Sequence, residues 1–197
     1  MVSLLPKIQM IAIAILPLIF AITLHEAAHG WIASKLGDKT ALQLGRVTLN
    51  PIKHIDLVGT IIVPIVLFLL GGFVFGWAKP VPVNWSNLKN PRRDMAFVAL
   101  AGPIANLFMA LLWAVIAKIT ILILATNISS TSIKDILMFF LLAGEYGILI
   151  NLVLMVLNLV PIPPLDGSRV VSALLPKKAA YQYGRIEPYG IWILIAL

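Results

Sequence analysis

The chain predicts an all-α polytopic membrane protein: a bundle of transmembrane helices with one re-entrant segment and a short membrane-surface β strand or hairpin. Three observations predict this class. Of 197 residues, 60% are hydrophobic and only 12% charged, with a mean hydropathy of +1.00, whereas soluble domains carry about 25% charge. Apolar runs of membrane length recur between short polar loops. The 15 basic residues also sort strongly to one side once the second run is read as re-entrant. No repeat, low-complexity tract or long polar linker divides the chain, so residues 1–197 read as a single membrane-embedded domain.

The first apolar run, residues 8–34, is long enough to span a bilayer with room to tilt. It is too long for a signal peptide and is read as retained. Residues 40–50 are rich in β-formers and partly alternating, which predicts the surface strand or hairpin. The second run, 57–77, is interrupted by Gly59, Pro64 and Gly71-Gly72, and such breakers suit backbone that enters and leaves one face. The third run, 95–116, contains Ala101-Gly102-Pro103-Ile104-Ala105-Asn106, and the fourth, 136–160, leads into Pro161, Pro163, Pro164, Asp166 and Gly167. A basic loop follows, then a half-length apolar run at 189–197.

The net charge of +7 does not point to nucleic acid, because the basic residues lie in short inter-run loops and form no continuous face. The absence of cysteine excludes disulfides, thiolate metal sites and cysteine nucleophiles. The partners this leaves are the lipid bilayer and whatever lies within it.

His25-Glu26-Ala27-Ala28-His29 lies inside the first run. Four residues of helix turn about 400°, so both imidazoles share one face. This H-E-x-x-H pattern suits a metal held by two neutral imidazoles, with the glutamate as base for a bound water. Three ionisable groups in a span are costly without such a purpose.

A catalytic zinc takes a third protein ligand, and Asp166, Glu145 and Asp56 compete for that place. Position favours Asp166, since the three prolines before it let the chain bend back toward the first helix. If His25, His29 and Asp166 hold one ion, the first and fourth runs must end on the same side. Four full spans forbid this, and a re-entrant second run allows it. That topology puts 12 of the 15 basic residues on the side bearing the site, which the positive-inside bias makes cytoplasmic. His54 reads as an interfacial histidine or as a contact near the site.

These elements, His25-Glu26-Ala-Ala-His29, the Gly102-Pro103-Ile-Ala-Asn106 stretch and Asn158-Leu-Val-Pro-Ile-Pro-Pro-Leu-Asp166-Gly167, resemble in this order the site-2 protease family of intramembrane zinc metalloproteases. The Gly76-Trp77-Ala-Lys-Pro-Val-Pro-Val-Asn84 stretch is similar to a segment of small bacterial members without PDZ or CBS modules. The resemblance implies one Zn2+ held by His25, His29 and Asp166, with Glu26 as catalytic base. It also points to Asn106 and Asn158 as oxyanion or substrate-binding residues, beside a reading of both as helix–helix hydrogen-bonding amides.

The expected substrate is a single-span transmembrane protein or a signal-peptide remnant, cut in a bacterial inner membrane. Its helix must unwind first, and residues 42–49 and 81–83 offer edges that would hold the unwound strand. The competing class is a metal transporter using the same His and Asp residues. A transporter would spread ligands through several spans or show internal repeats. An inactive relative acting as a chaperone would not need Glu26.

Overall fold

The computed structural model describes residues 4–69, 76–126, 128–190 and 192–193. Helix α1 (Leu4–Leu36) is followed by a single turn, α2 (Thr40–Gln43), and a 3-10 turn at Pro51–His54. A wide π-type turn (Leu57–Ile62) runs into α3 (Val63–Leu69). An extended stretch and a 3-10 turn at Trp85–Asn87 lead to α4 (Pro91–Leu124) and then α5 (Thr131–Leu159). Short helices α6 (Asp166–Leu174) and α7 (Lys177–Gly184) complete the order. The Gly71-Gly72 pair of the second run and most of the 189–197 run lie outside the described residues.

Three helices, α1 over Gln9–Leu36, α4 and α5, are long and apolar enough to cross a membrane. Even the shortest of these stretches, 28 residues, rises about 42 Å against a hydrocarbon core of about 30 Å. Their outward faces are apolar: Phe108, Leu112 and Val115 on α4 and Val153 and Val156 on α5 are exposed. In water such a surface would be an aggregation liability; against lipid it is a solvated face.

Helix α4 packs against both of the others, antiparallel to each, and α1 and α5 also touch. His29 meets Val98 and His25 meets Asn106 along one side; Asn106 meets Asn151 along the other. The α4–α5 seam closes through small residues. A Cβ at Gly147 would fall 2.3 Å from the Trp113 ring, and one at Gly144 would fall 2.9 Å from Ala117. Helices in lipid associate by such close approach, since burial of apolar surface gains little there. Helices α1 and α5 therefore run parallel, and their C-terminal ends share one end of the bundle.

At that end the chain is cross-tied. The Trp77 N–H donates to the Gly59 carbonyl (3.0 Å) and the Lys79 N–H to the His54 carbonyl (3.0 Å), while the Thr60 hydroxyl donates to the Trp77 carbonyl (2.8 Å). Arg46 donates to the Lys79 carbonyl (2.9 Å), and the Asn84 N–H reaches Asp38 (2.7 Å). The segments before and after the second run are thus pinned side by side, next to the end of α1.

The strand or hairpin expected at 40–50 is not formed; among the described residues there is no strand. Residues 40–43 make a helical turn instead. It closes when the Arg46 N–H returns to the Ala41 carbonyl (2.9 Å) and the Gly45 N–H to the Leu42 carbonyl (3.0 Å), with Gly45 at φ +63°. Glycine tolerates this left-handed closure, and Ala41 is fully buried beneath it. A packed turn outweighed the alternating pattern.

Helix α1 stops at Gly37, whose φ of +122° suits only glycine, and Asp38 then ties the end of α1 to two loops. Its carboxylate accepts from the Thr40 hydroxyl, the Thr40 N–H, the Asn87 amide and the Asn84 N–H. Burial pushes its pKa up, but these four donors outweigh that and hold the carboxyl below its ordinary value. A depressed carboxyl stabilises the fold above its unfolded pKa of about 3.9 and loses that contribution as pH falls through the folded value. Asp38→Ala therefore lowers the melting temperature in detergent by several degrees at pH 7, and the gap to wild type closes as pH falls below about 3.9. Melting curves at pH 7 and pH 3 check this.

Candidate active site

His25, Glu26 and His29 lie in the last third of α1, and Asp166 is the first residue of α6. The Nε2 atoms of His25 and His29 are 3.0 Å apart. Asp166 Oδ2 lies 3.2 Å from the first and 3.3 Å from the second. The three atoms make a near-equilateral triangle. Four-coordinate zinc, with bonds of about 2.0–2.1 Å, sets neighbouring ligand atoms about 3.3 Å apart.

The donor chemistry fits as well. Two imidazoles and a carboxylate are a catalytic zinc set that leaves a fourth position open. Asp166 Oδ2 is buried with no hydrogen-bond partner, an unsatisfied atom that a cation would satisfy. Among the described residues, His25, His29 and Asp166 are the one cluster that could hold a metal ion.

Each histidine is oriented from behind. His29 Nδ1–H donates to the Val98 carbonyl (2.7 Å), and His25 Nδ1–H donates to Asn106 Oδ1 (2.6 Å). Both contacts leave the Nε2 lone pairs facing the triangle, as metal-binding histidines require. Gly102 makes room: a Cβ there would lie 2.4 Å from His29 Nε2 and 2.6 Å from His25 Nε2. Gly167 does the same beside Asp166, since a Cβ there would lie 2.2 Å from the Leu159 carbonyl oxygen. That close approach lets α6 begin against the end of α5.

A cavity of about 620 Å³ opens over the triangle. Glu26, Trp77, Val81, Trp85, Asn158 and Arg169 are among the residues on its wall. Glu26 Oε2 accepts the Val81 N–H at 2.7 Å, so the extended Gly76–Asn84 stretch runs along the cavity beside the carboxylate. Arg169 is held by Glu187 at 2.6 Å.

The two amides that sequence treats alike part company here. Asn158 stands on the cavity wall, its Nδ2 bonded back to the Leu154 carbonyl at 2.9 Å. Asn106 is fully buried behind His25 and does not line the cavity. The competing acids stand elsewhere: Asp56 accepts from the Gly59 N–H, and Glu145 is exposed on α5. His54 is buried, with Nε2–H donating to the Thr48 carbonyl (3.0 Å), away from the triangle. Sequence reasoning missed Asn151, whose Oδ1 accepts from Asn106 (2.9 Å). A lone amide within an apolar run was the available signal.

The chain as a whole is similar in sequence to known proteins. The family model described as Peptidase family M50 matches residues 13–143 and 118–196. The chain is 39% identical to "Putative zinc metalloprotease YwhC" of Bacillus subtilis (strain 168), over 93% of its own length and 78% of that protein's. It is 30% identical to "Putative zinc metalloprotease Rip2" of Mycobacterium tuberculosis (strain ATCC 25618 / H37Rv), over 90% of the chain and 62% of the relative. The corresponding Rip2 of Mycolicibacterium smegmatis (strain ATCC 700084 / mc(2)155) is 26% identical, over 91% and 63%. The chain thus spans a little under two thirds of the Rip2 proteins. No solved structure matches it. Two imidazoles and a carboxylate converging inside an apolar bundle, and a family match across nearly the whole length, lead to one conclusion: the chain belongs to peptidase family M50, the site-2 protease family of zinc metalloproteases.

Proposed function

We propose that this chain is an intramembrane endopeptidase that hydrolyses peptide bonds within or near the transmembrane segments of single-span proteins or signal-peptide remnants. The observation that carries the reading is the convergence of His25, His29 and Asp166 on one point, with Glu26 on the same cavity wall. A hydrolytic centre needs one such point, whereas a transport pathway would need several.

Zinc held by His25, His29 and Asp166 would supply a Lewis acid and a water ionising near neutral pH. Glu26 has Oε2 engaged by Val81, which leaves Oε1 to take the proton of the attacking water and return it to the leaving amine. Asn158, on the wall of the same cavity, presents its carboxamide to the substrate carbonyl. The extended Gly76–Asn84 stretch offers backbone groups along which an unwound strand can lie.

We read residues 57–77 as re-entrant, because the pins between 54–60 and 77–79 and between Asp38 and Asn84 keep both ends at one end of the bundle. The basic loops gather at that end, which supports a cytoplasmic-side site in a bacterial inner membrane.

Purified wild type and Glu26→Gln, assayed for bound zinc and for cleavage of a panel of single-span substrates, test the proposal. Both are expected to carry one zinc, with cleavage by the variant down about 10²–10⁴-fold. Equal cleavage by the two would remove Glu26 from its role, and a wild type that takes up no zinc would remove the metal centre.

A further inference from the structure

His25 and His29 are oriented by different means. Behind His29 stands a backbone carbonyl, Val98, which can only accept, so Nδ1 must carry the proton. Behind His25 stands the Asn106 side chain, and a carboxamide can present either an acceptor or a donor. Turned over, Asn106 would offer its NH2 to Nδ1, favour the tautomer protonated at Nε2 and deny the metal its lone pair. Something must hold that amide.

Asn151 does so. Its Nδ2 donates to the Gly147 carbonyl at 2.8 Å, an acceptor with no second option. That turns Asn151 Oδ1 toward Asn106 Nδ2 at 2.9 Å, and the Ala21 carbonyl adds a longer contact at 3.3 Å. Both amides are fully buried, so water does not compete for these bonds. A single polarity therefore runs from the α5 backbone through two amides to His25 Nε2.

We propose that Asn151 is a positioning residue for the metal centre, setting the orientation of Asn106 and through it the metal-binding tautomer of His25. The inference rests on reading His25, His29 and Asp166 as metal ligands.

The test is zinc affinity, measured on the full-length detergent-solubilised protein by competition with a chromogenic chelator. Asn151→Leu removes the acceptor at similar volume and is expected to weaken zinc binding at least about tenfold, within the range for partners of metal-bound histidines. Asn151→Asp keeps an oxygen facing Asn106 and is expected to bind within about threefold of wild type. The decisive comparison is the Asn106→Asp background. An ionised carboxylate presents only acceptors to His25, so adding Asn151→Leu there should cost little more, giving a clear non-additivity.

Wild-type affinity in Asn151→Leu would overturn the proposal, as would equal losses in the leucine and aspartate variants or additive losses in the Asn106→Asp background. If Asn151→Leu does not yield folded protein, Asn151→Ser, too short to reach Asn106, is read in the same way. A wild type that binds no zinc would instead remove the metal reading itself, so the two failures are distinguishable.

Discussion

Gly102→Ala is expected to cripple metal binding while leaving the helix bundle intact. Alanine in a helix interior is ordinarily better than glycine by about 1 kcal/mol, so α4 itself has nothing to lose. The cost falls on the imidazoles, because the new methyl would sit 2.4–2.6 Å from His29 Nε2 and His25 Nε2. These are the far ends of side chains that can rotate away, so the metal-free protein folds with both rings turned aside. Zinc affinity is then expected to fall at least about 100-fold, beyond the loss seen when only a ligand's supporting partner is removed. Chelator competition measures the affinity and circular dichroism the helix content. A Gly102→Ala protein with wild-type zinc affinity would show that the imidazoles do not need this space.

Asp166→Ala removes the third corner of the triangle and uncouples stability from zinc. A ligand that binds only the folded state at a thousand times its Kd stabilises by about 4 kcal/mol. In a chain of this size that shifts the melting temperature by about 8–16 °C. The variant should lose this response, and cleavage with it, because two imidazoles alone hold zinc far more weakly. It should still dock α6: Arg92 on α4 bonds the Ala173 and Leu175 carbonyls, and Ser168 is buried against its own turn. Differential scanning fluorimetry with and without zinc reads this directly. A variant that still shifts like wild type would exclude Asp166 as a ligand.

The three long helices were legible from hydropathy, but their ends were not. The third run was expected at 95–116, and α4 spans Pro91–Leu124. Hydropathy marks the part of a helix that sits in lipid; Pro91, Arg92, Arg93 and Asp94 form a first turn outside it, with Asp94 bonding back to the Asn90 N–H. The basic stretch after Gly167 was read as loop, yet much of it forms α6 and α7, helices too short and polar to stand out by composition. In the site, His25, Glu26 and His29 were readable because their spacing is local. Asp166 was readable because prolines announce a break. The contacts of Val98 and Asn151 were not, nor was which of its two readings Asn106 takes (it is the interhelical amide), because they depend on which faces of α4 and α5 meet α1, and periodicity in an all-round apolar helix leaves that undetermined.

The bond from Val81 N–H to Glu26 ties the position of the Gly76–Asn84 stretch to the orientation of the carboxylate. The same stretch is pinned by Arg46, His54 and Asp38, so it stands as a fixed rail along the cavity. On the proposed function, a peptide that displaced this rail would also release or re-aim the carboxylate. On that same proposal, loading a substrate and readying Glu26 as proton acceptor would then be one mechanical event.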